Sequence, residues 1–307
     1  MMYVWLIVGF VLLVKGADFF VEGSSSVAKI FRVPTIIIGL TIVAFGTSCP
    51  EAAVSITASL ENKNAMALSN VVGSNIFNLM VVTGFSAAIA GIKTDPGILK
   101  KELPMTILVT VILLGMSLLG FSVGRVDGVL LLIGFAAFVA YMVWSALKNR
   151  TESEEEVKVL SLPVSLLYII GGLIAIVWGG DRVVESASDI ARTFGLSETL
   201  IGLTIVSVGT SLPELVTSIV AAAKGESDLA LGNVVGSNLF NILMVLGAAA
   251  AISPVTVAME SIYDMVILIA MSVCVLIMAW KDKKISRVKG IFMLGIYVVY
   301  LIYIIVR

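Results

Sequence analysis

Gly39-Leu-Thr-Ile-Val-Ala-Phe-Gly-Thr-Ser-Cys-Pro-Glu51 returns almost unchanged as Gly202-Leu-Thr-Ile-Val-Ser-Val-Gly-Thr-Ser-Leu-Pro-Glu214. A second block follows each copy, Asn70-Val-Val-Gly-Ser-Asn-Ile-Phe-Asn78 and Asn233-Val-Val-Gly-Ser-Asn-Leu-Phe-Asn241. The same 163 residues separate Glu51 from Glu214 and Asn78 from Asn241. About half of the positions aligned from Gly39 and from Gly202 are identical, so the chain is a duplicated unit. Working outward, Asp18, Glu22, Ala28 and Phe31 match Asp181, Glu185, Ala191 and Phe194 at that offset. Gly128 aligns with Gly290 after a slip of a single residue. Each copy sets a carboxylate and several amides inside strongly apolar segments, a combination that points to an intramembrane cation site.

The surrounding composition fits a bilayer: 59% of residues are hydrophobic, 13% are charged, and the mean hydropathy is +1.09. Apolar runs of about 20 residues, long enough to span as helices, fall at roughly 3–22, 35–60, 67–91, 102–122, 127–147, 162–184, 198–222, 229–252, 261–280 and 288–306. The expected fold is therefore an all-α integral membrane protein with ten transmembrane helices. Lys and Arg gather in every second connection: Lys29 and Arg32; Lys93, Lys100 and Lys101; Lys148, Arg150 and Lys158; Lys224; and five residues from Lys281 to Lys289. The other connections and the C-terminus hold only Lys63, Arg125, Arg192 and Arg307. The positive-inside rule then places both termini outside. The first segment lacks a basic start and a small-residue cleavage site, so it reads as a span rather than a signal peptide. Cys49 and Cys274 read as small apolar residues, and the sequon at Asn149 falls on the side expected to be cytoplasmic.

Residues 1–147 form a first five-helix repeat, 148–161 a short cytoplasmic linker and 162–307 a second repeat, together one compact membrane domain. Five is odd, so the second repeat must enter the membrane in the opposite orientation. Such inverted repeats typify secondary transporters, with substrate bound where the repeats meet. The acidic run Glu152-Ser-Glu-Glu-Glu156 reads as a solvated part of the linker, because its spacing matches no calcium loop.

Within the duplicated motif, Pro50 has no amide hydrogen to give the Gly46 carbonyl, and its ring opens that turn. Irregular backbone at membrane depth persists only where it lines a cavity or is buried in protein. Freed carbonyls and the hydroxyls of Thr47 and Ser48 offer hard oxygen ligands, and Gly209-Thr-Ser-Leu-Pro-Glu214 repeats the arrangement. Glu51 and Glu214 supply charge, at an insertion cost of roughly 2.5–3.5 kcal/mol for an isolated acid. No Lys, Arg or His lies within the matched blocks. A bound cation is the simplest compensation; the plain alternative is a proton-sharing pair that glues helices.

Ser74 and Asn78 share one helix face, as do Ser237 and Asn241, and these faces would close the cavity with neutral oxygens. Asn70 and Asn233 serve packing and cavity roles equally well, within the small-residue patterns from Ser69 to Gly73 and from Gly232 to Gly236. An all-oxygen site without thiolate or imidazole suits hard cations, and the absence of His argues against zinc, copper, nickel and metalloprotease chemistry.

With its paired Gly-Thr-Ser-x-Pro-Glu and Gly-Ser-Asn-x-Phe-Asn blocks, the chain resembles the sodium/calcium exchanger branch of the cation/calcium antiporter superfamily, prokaryotic type, over essentially its whole length. The resemblance implies ten helices, with ion positions formed by helices two, three, seven and eight. It implies that Glu51 and Glu214 are central calcium ligands, joined by Thr47 and Thr210 through backbone oxygens. Sodium sites would draw on Ala44, Thr47 and Ser48, on Ser207, Thr210 and Ser211, and on Ser74 and Ser237. Asn78 and Asn241 would stand beside the glutamates. Helices one and six would be the moving pair. Where some archaeal and potassium-dependent exchangers carry Asp, this chain has Asn241, which argues against potassium co-transport. Ser207 stands where a small apolar residue opposite Ala44 is expected.

These features imply an antiporter, not an enzyme, exchanging sodium for calcium by alternating access in a prokaryotic plasma membrane. The implied partners are the two ions and the lipid bilayer, with no cofactor, nucleic acid or protein partner. Rival readings are a calcium/proton exchanger, whose repeats resemble Gly-Asn-x-x-Glu instead, a cation channel, and a non-transporting scaffold.

Overall fold

A computed structural model describes residues 2–61, 64–148, 160–195 and 207–306. Asn149, the acidic run, most of the 148–161 linker, Lys63, residues 196–206 and the Ser207 side chain lie outside the described residues. Helix α1 (Met2–Phe31) precedes a bent pair, α2 (Thr35–Thr47) and α3 (Cys49–Leu60), and then α4 (Met66–Ala90), α5 (Ile98–Leu118) and α6 (Arg125–Lys148). Next come α7 (Leu162–Thr193), α8 (Leu212–Ala223), α9 (Ser227–Ile252), α10 (Met259–Trp280) and α11 (Arg287–Val306). Eight of these are each long and apolar enough to cross a membrane, and the α2–α3 pair makes a ninth. The span expected at 198–222 is represented among the described residues by the turn Ser207–Gly209 and by α8.

Two helices run further than hydropathy suggests. The first span, expected to end near residue 22, continues to Phe31, where Arg32 at φ 53° and then Pro34 stop it. The Ser24-Ser25-Ser26 run lowers hydropathy without breaking the helix, and all three residues are buried. Likewise α7 continues beyond residue 184 to Thr193, ahead of Gly195 at φ 78°.

Glycines bring α1 and α7 into direct contact. A Cβ on Gly9 would lie 2.9 Å from the Gly179 carbonyl, one on Gly16 2.8 Å from that of Gly172, and one on Gly23 2.7 Å from that of Ser165. Numbers rise along one helix as they fall along the other, so the two run antiparallel. Glycines seven residues apart share one face and let the backbones touch.

Other contacts also occur in duplicate. Gly290 of α11 meets the Gly84 carbonyl of α4, and Gly128 of α6 meets the Gly247 carbonyl of α9. Phe77 stacks edge-on against Tyr297, and the equivalent Phe240 against Phe135. Although an all-α fold was expected, four two-residue strands appear where connections meet. They are β1 (Ile92–Lys93), β2 (Ser122–Val123), β3 (Val255–Thr256) and β4 (Lys284–Ile285). β1 pairs antiparallel with β4, and β2 with β3, so backbone groups at these connections satisfy each other. The centre is formed by α4 and α9: 78% of the most apolar stretch of each is buried, against 17–39% for the other single spans.

Candidate functional site

The break falls at Ser48, between α2 and α3, with φ −85° and ψ 9° and a bend of 49°. Ser211 ahead of α8 repeats the conformation at φ −93° and ψ 7°. Pro50 and Pro213 occupy the first turn of the following helix, where a missing amide hydrogen costs nothing. Glu51 and Glu214 lie in those same first turns, at the positive end of a 12-residue helix, where the macrodipole favours a carboxylate.

Each hinge serine reaches the glutamate of the other unit. Ser48 Oγ donates to Glu214 Oε1 at 2.8 Å, and Ser211 Oγ donates to Glu51 Oε1 at 3.0 Å. All four residues have no exposed surface. Thr47 lies beside Glu214 and Thr210 beside Glu51. Ser237 reaches Glu214 Oε1 at 3.5 Å, a long contact, whereas Ser74 is buried without a hydrogen bond to either glutamate among the described residues. Ala44 is buried; its carbonyl accepts the Ser48 amide, and its Cβ faces Gly236. Ser207 belongs to the turn before Ser211.

Asn78 and Asn241 are fully buried, and each opens a widened π-helical turn, Asn78–Val82 and Asn241–Leu246. Such turns shift the helix register by a residue and are frequent at functional sites. Glu51 Oε2, Glu214 Oε2, Asn78 Oδ1 and Asn241 Oδ1 are buried without a hydrogen-bond partner among the described residues. These are two carboxylate and two amide oxygens, hard donors of the kind that suits a cation.

Supporting contacts came from residues outside the expected ligand set. Asn70 Nδ2 donates to Ser55 Oγ at 2.9 Å, and Asn233 Nδ2 to Ser218 Oγ at 3.0 Å. Asn233 Oδ1 also accepts from Thr47 Oγ1 at 3.0 Å. The two amide-to-serine bonds tie the helix after each break to α4 or α9, and the Thr47 bond ties α2 to α9. Ser55 and Ser218 stand at the repeat offset, so the duplication alone marked them.

A cavity of about 740 Å³ opens onto one side of the hinges, lined by Cys49, Pro50, Asp181, Glu185, Thr210 and Pro213 among others. At the repeat-equivalent positions on the other side, Val21, Thr47 and Thr217 are buried, whereas the cavity-lining Val184, Thr210 and Val54 are only half-buried. The hinge region is thus open toward the α7 end of the molecule and closed where α1 packs.

Crossed helix breaks with paired buried acids define a multi-pass membrane protein built to carry cations. The chain belongs to the sodium/calcium exchanger family: the family described as "Sodium/calcium exchanger protein" matches residues 1–144 and 164–306. It is 39% identical to the putative antiporter CaxA of Alkalimonas amylolytica, over 97% of this chain and 96% of that one. It is 34% identical to the inner membrane protein YrbG of Escherichia coli, over 96% and 94%. Its fold is similar to a solved structure of the sodium-calcium exchanger NCX_Mj soaked with zero Na+ and Ca2+, with TM-score 0.87, 32% identity and coverage of 99% and 98%. Sodium and calcium are the transported ions of this family.

Proposed function

We propose that the chain is a secondary-active antiporter exchanging sodium for calcium by alternating access, electrogenic and independent of potassium. The crossed Ser48–Glu214 and Ser211–Glu51 pairs carry this reading, because they set two acids and their unpartnered oxygens into one buried site. Glu51 and Glu214 are the calcium ligands, with Thr47 and Thr210; the hydroxyls of Ser48, Ser211, Ser74 and Ser237, with Ala44 and Ser207, complete the sodium positions. Asn78 and Asn241 stand beside the acids. Either ionic load neutralises the site, and only the neutralised site changes face. With three sodium ions exchanged per calcium, one net charge moves, worth about 2.3 kcal/mol per 100 mV.

The proposed architecture is ten spans in two inverted units, 1–147 and 162–307, joined by the 148–161 linker. Antiparallel packing of α1 on α7 supports it. So does parity: the β1–β4 pairing puts residues 92–93 and 284–285 on one side of the bilayer. Between them lie the full spans α5, α6, α7, α9 and α10, an odd number, so the segment ending in α8 supplies the crossing that restores the side. The basic connections then face the cytoplasm and both termini face outward.

Calcium-45 uptake into proteoliposomes preloaded with sodium tests the function, against choline-loaded and pH-gradient controls. Uptake that follows the proton gradient and ignores internal sodium would replace sodium coupling with proton coupling. Ser48→Ala and Ser211→Ala each remove a hydroxyl and a hydrogen bond to a carboxylate, a loss of about 1.5–3 kcal/mol. Each is expected to raise half-saturating sodium roughly tenfold or more, by similar amounts in the two variants.

Closure of the α1 side involves Lys224, whose Nζ lies 2.5 Å from Asp18 Oδ1 and 3.9 Å from Glu22 Oε2. At the repeat-equivalent position of Lys224 stands Glu61, so only one side carries this cation. A half-exposed pair is worth about 1 kcal/mol or less. Lys224→Glu should therefore speed maleimide labelling of Val21→Cys, in a background lacking Cys49 and Cys274, by roughly two- to fivefold. Unchanged labelling would show that the pair does not hold this side shut.

A further inference from the structure

Asn75 and Asn238 occupy equivalent positions in α4 and α9, yet their side chains end in different surroundings. They meet at the centre of the molecule, at most 1% exposed. Asn75 Nδ2 donates to the Asn238 backbone carbonyl at 3.1 Å, and Asn238 Nδ2 donates to the Asn75 carbonyl at 3.2 Å. That exchange is symmetric. The remaining amide atoms break the symmetry: Asn75 Oδ1 accepts from Asn241 Nδ2 at 3.1 Å. Among the described residues Asn238 Oδ1 has no partner, and neither does Asn78 Oδ1 or Nδ2.

The polarity of this chain of bonds is fixed at its first link. A backbone carbonyl accepts only, so the Asn75 group facing it must be the NH2. The Asn75 oxygen then faces Asn241 and requires a donor there, which only the Asn241 NH2 can supply. The Asn241 oxygen is left over, buried and without a protein partner. On the other branch, the relay stops at Asn238 Oδ1, and no hydrogen bond from the described residues sets the orientation of Asn78.

We propose that Asn75 is a positioning residue for cation binding: through Oδ1 it locks the Asn241 carboxamide with the oxygen as the available ligand, while Asn78 stays adjustable. Two units alike in sequence thus give the site one preset amide and one adaptable amide. A preset oxygen dipole needs no reorganisation when a divalent ion arrives, so the effect falls mainly on calcium affinity. The inference rests on the transport reading above, and its test separates the two.

Calcium binding to purified protein by titration calorimetry, with calcium-45 uptake in parallel, is measured for Asn75→Ala, Asn238→Ala, Asn241→Ala and the Asn75→Ala/Asn241→Ala double variant. Both Asn75→Ala and Asn238→Ala delete one amide-to-carbonyl bond of the central exchange, but only Asn75→Ala releases Asn241. The expected result is a roughly tenfold weaker calcium Kd for Asn75→Ala, a change under about threefold for Asn238→Ala, and no further loss when Asn75→Ala is added to Asn241→Ala. Asn75→Asp keeps the acceptor oxygen toward Asn241 but loses the donor toward the Asn238 carbonyl, so it should weaken calcium binding no more than Asn238→Ala does; it serves if the alanine variant fails to fold. Equal losses in Asn75→Ala and Asn238→Ala, additive losses in the double variant, or an Asn75→Asp weakened beyond Asn238→Ala would each overturn the positioning role. Absence of sodium-driven calcium uptake in the unmodified protein would instead overturn the transport reading.

Discussion

Replacing Glu51 or Glu214 with Gln is expected to abolish sodium-driven calcium uptake while leaving the protein folded. Gln preserves shape, and its amide oxygen still accepts the hydrogen bond from Ser211 or Ser48. What disappears is one of two charges that a doubly charged ion neutralises. Removing one partner from a buried charge pair costs about 3–5 kcal/mol, so calcium affinity should fall by at least roughly two orders of magnitude. In the ion-free protein the effect on stability runs the other way, because two buried acids in one site are costly to hold without a cation between them. Melting in detergent without calcium should therefore occur at an unchanged or higher temperature. Calcium added to the unmodified protein should raise the melting temperature, and this increment should be lost in both variants. Retained uptake in either variant would remove that glutamate from the transport site.

Gly16→Val is the second change with a large expected effect. A Cβ there would lie 2.8 Å from the Gly172 carbonyl and 2.9 Å from Ala175 Cβ, and Val adds two further carbons. The contacted atoms are a carbonyl oxygen and a Cβ fixed to the helical backbone of α7, so relief requires the helices to separate along a seam that also includes Gly9, Gly23 and Gly179. Overpacking of this kind costs about 1–3 kcal/mol or more. A lowered melting temperature and at least tenfold slower transport are expected. Gly171→Val is the matched control, because a Cβ at Gly171 meets nothing within 4 Å. Equal damage from both substitutions would mean that residue type, rather than the α1–α7 contact, is responsible.

Much of this protein was readable from the chain alone because the decisive features are local or repeated. Pro50 and Pro213 interrupt helices wherever they stand in a helical run, and Glu51 and Glu214 are anomalous in any apolar segment. The repeat offset pairs such residues without any knowledge of distance. Helix ends were less legible. Hydropathy falls at Ser24-Ser25-Ser26, but serines buried between helices do not terminate them, so α1 and α7 outran the expected spans. Asn75 also escaped the expected ligand set, since it meets that set only through the Asn241 side chain.

Sequence by itself determined the duplication, the helix breaks, the acids and the hard-oxygen character of the site, because these follow from residue chemistry and spacing. Tertiary structure alone decided which serine meets which glutamate, which side of the hinges is open, and which of two like-placed asparagines is held. A repeated sequence presents the same groups twice. Only their arrangement in space can make one copy differ from the other, because a hydrogen bond taken by one partner is no longer available to its twin.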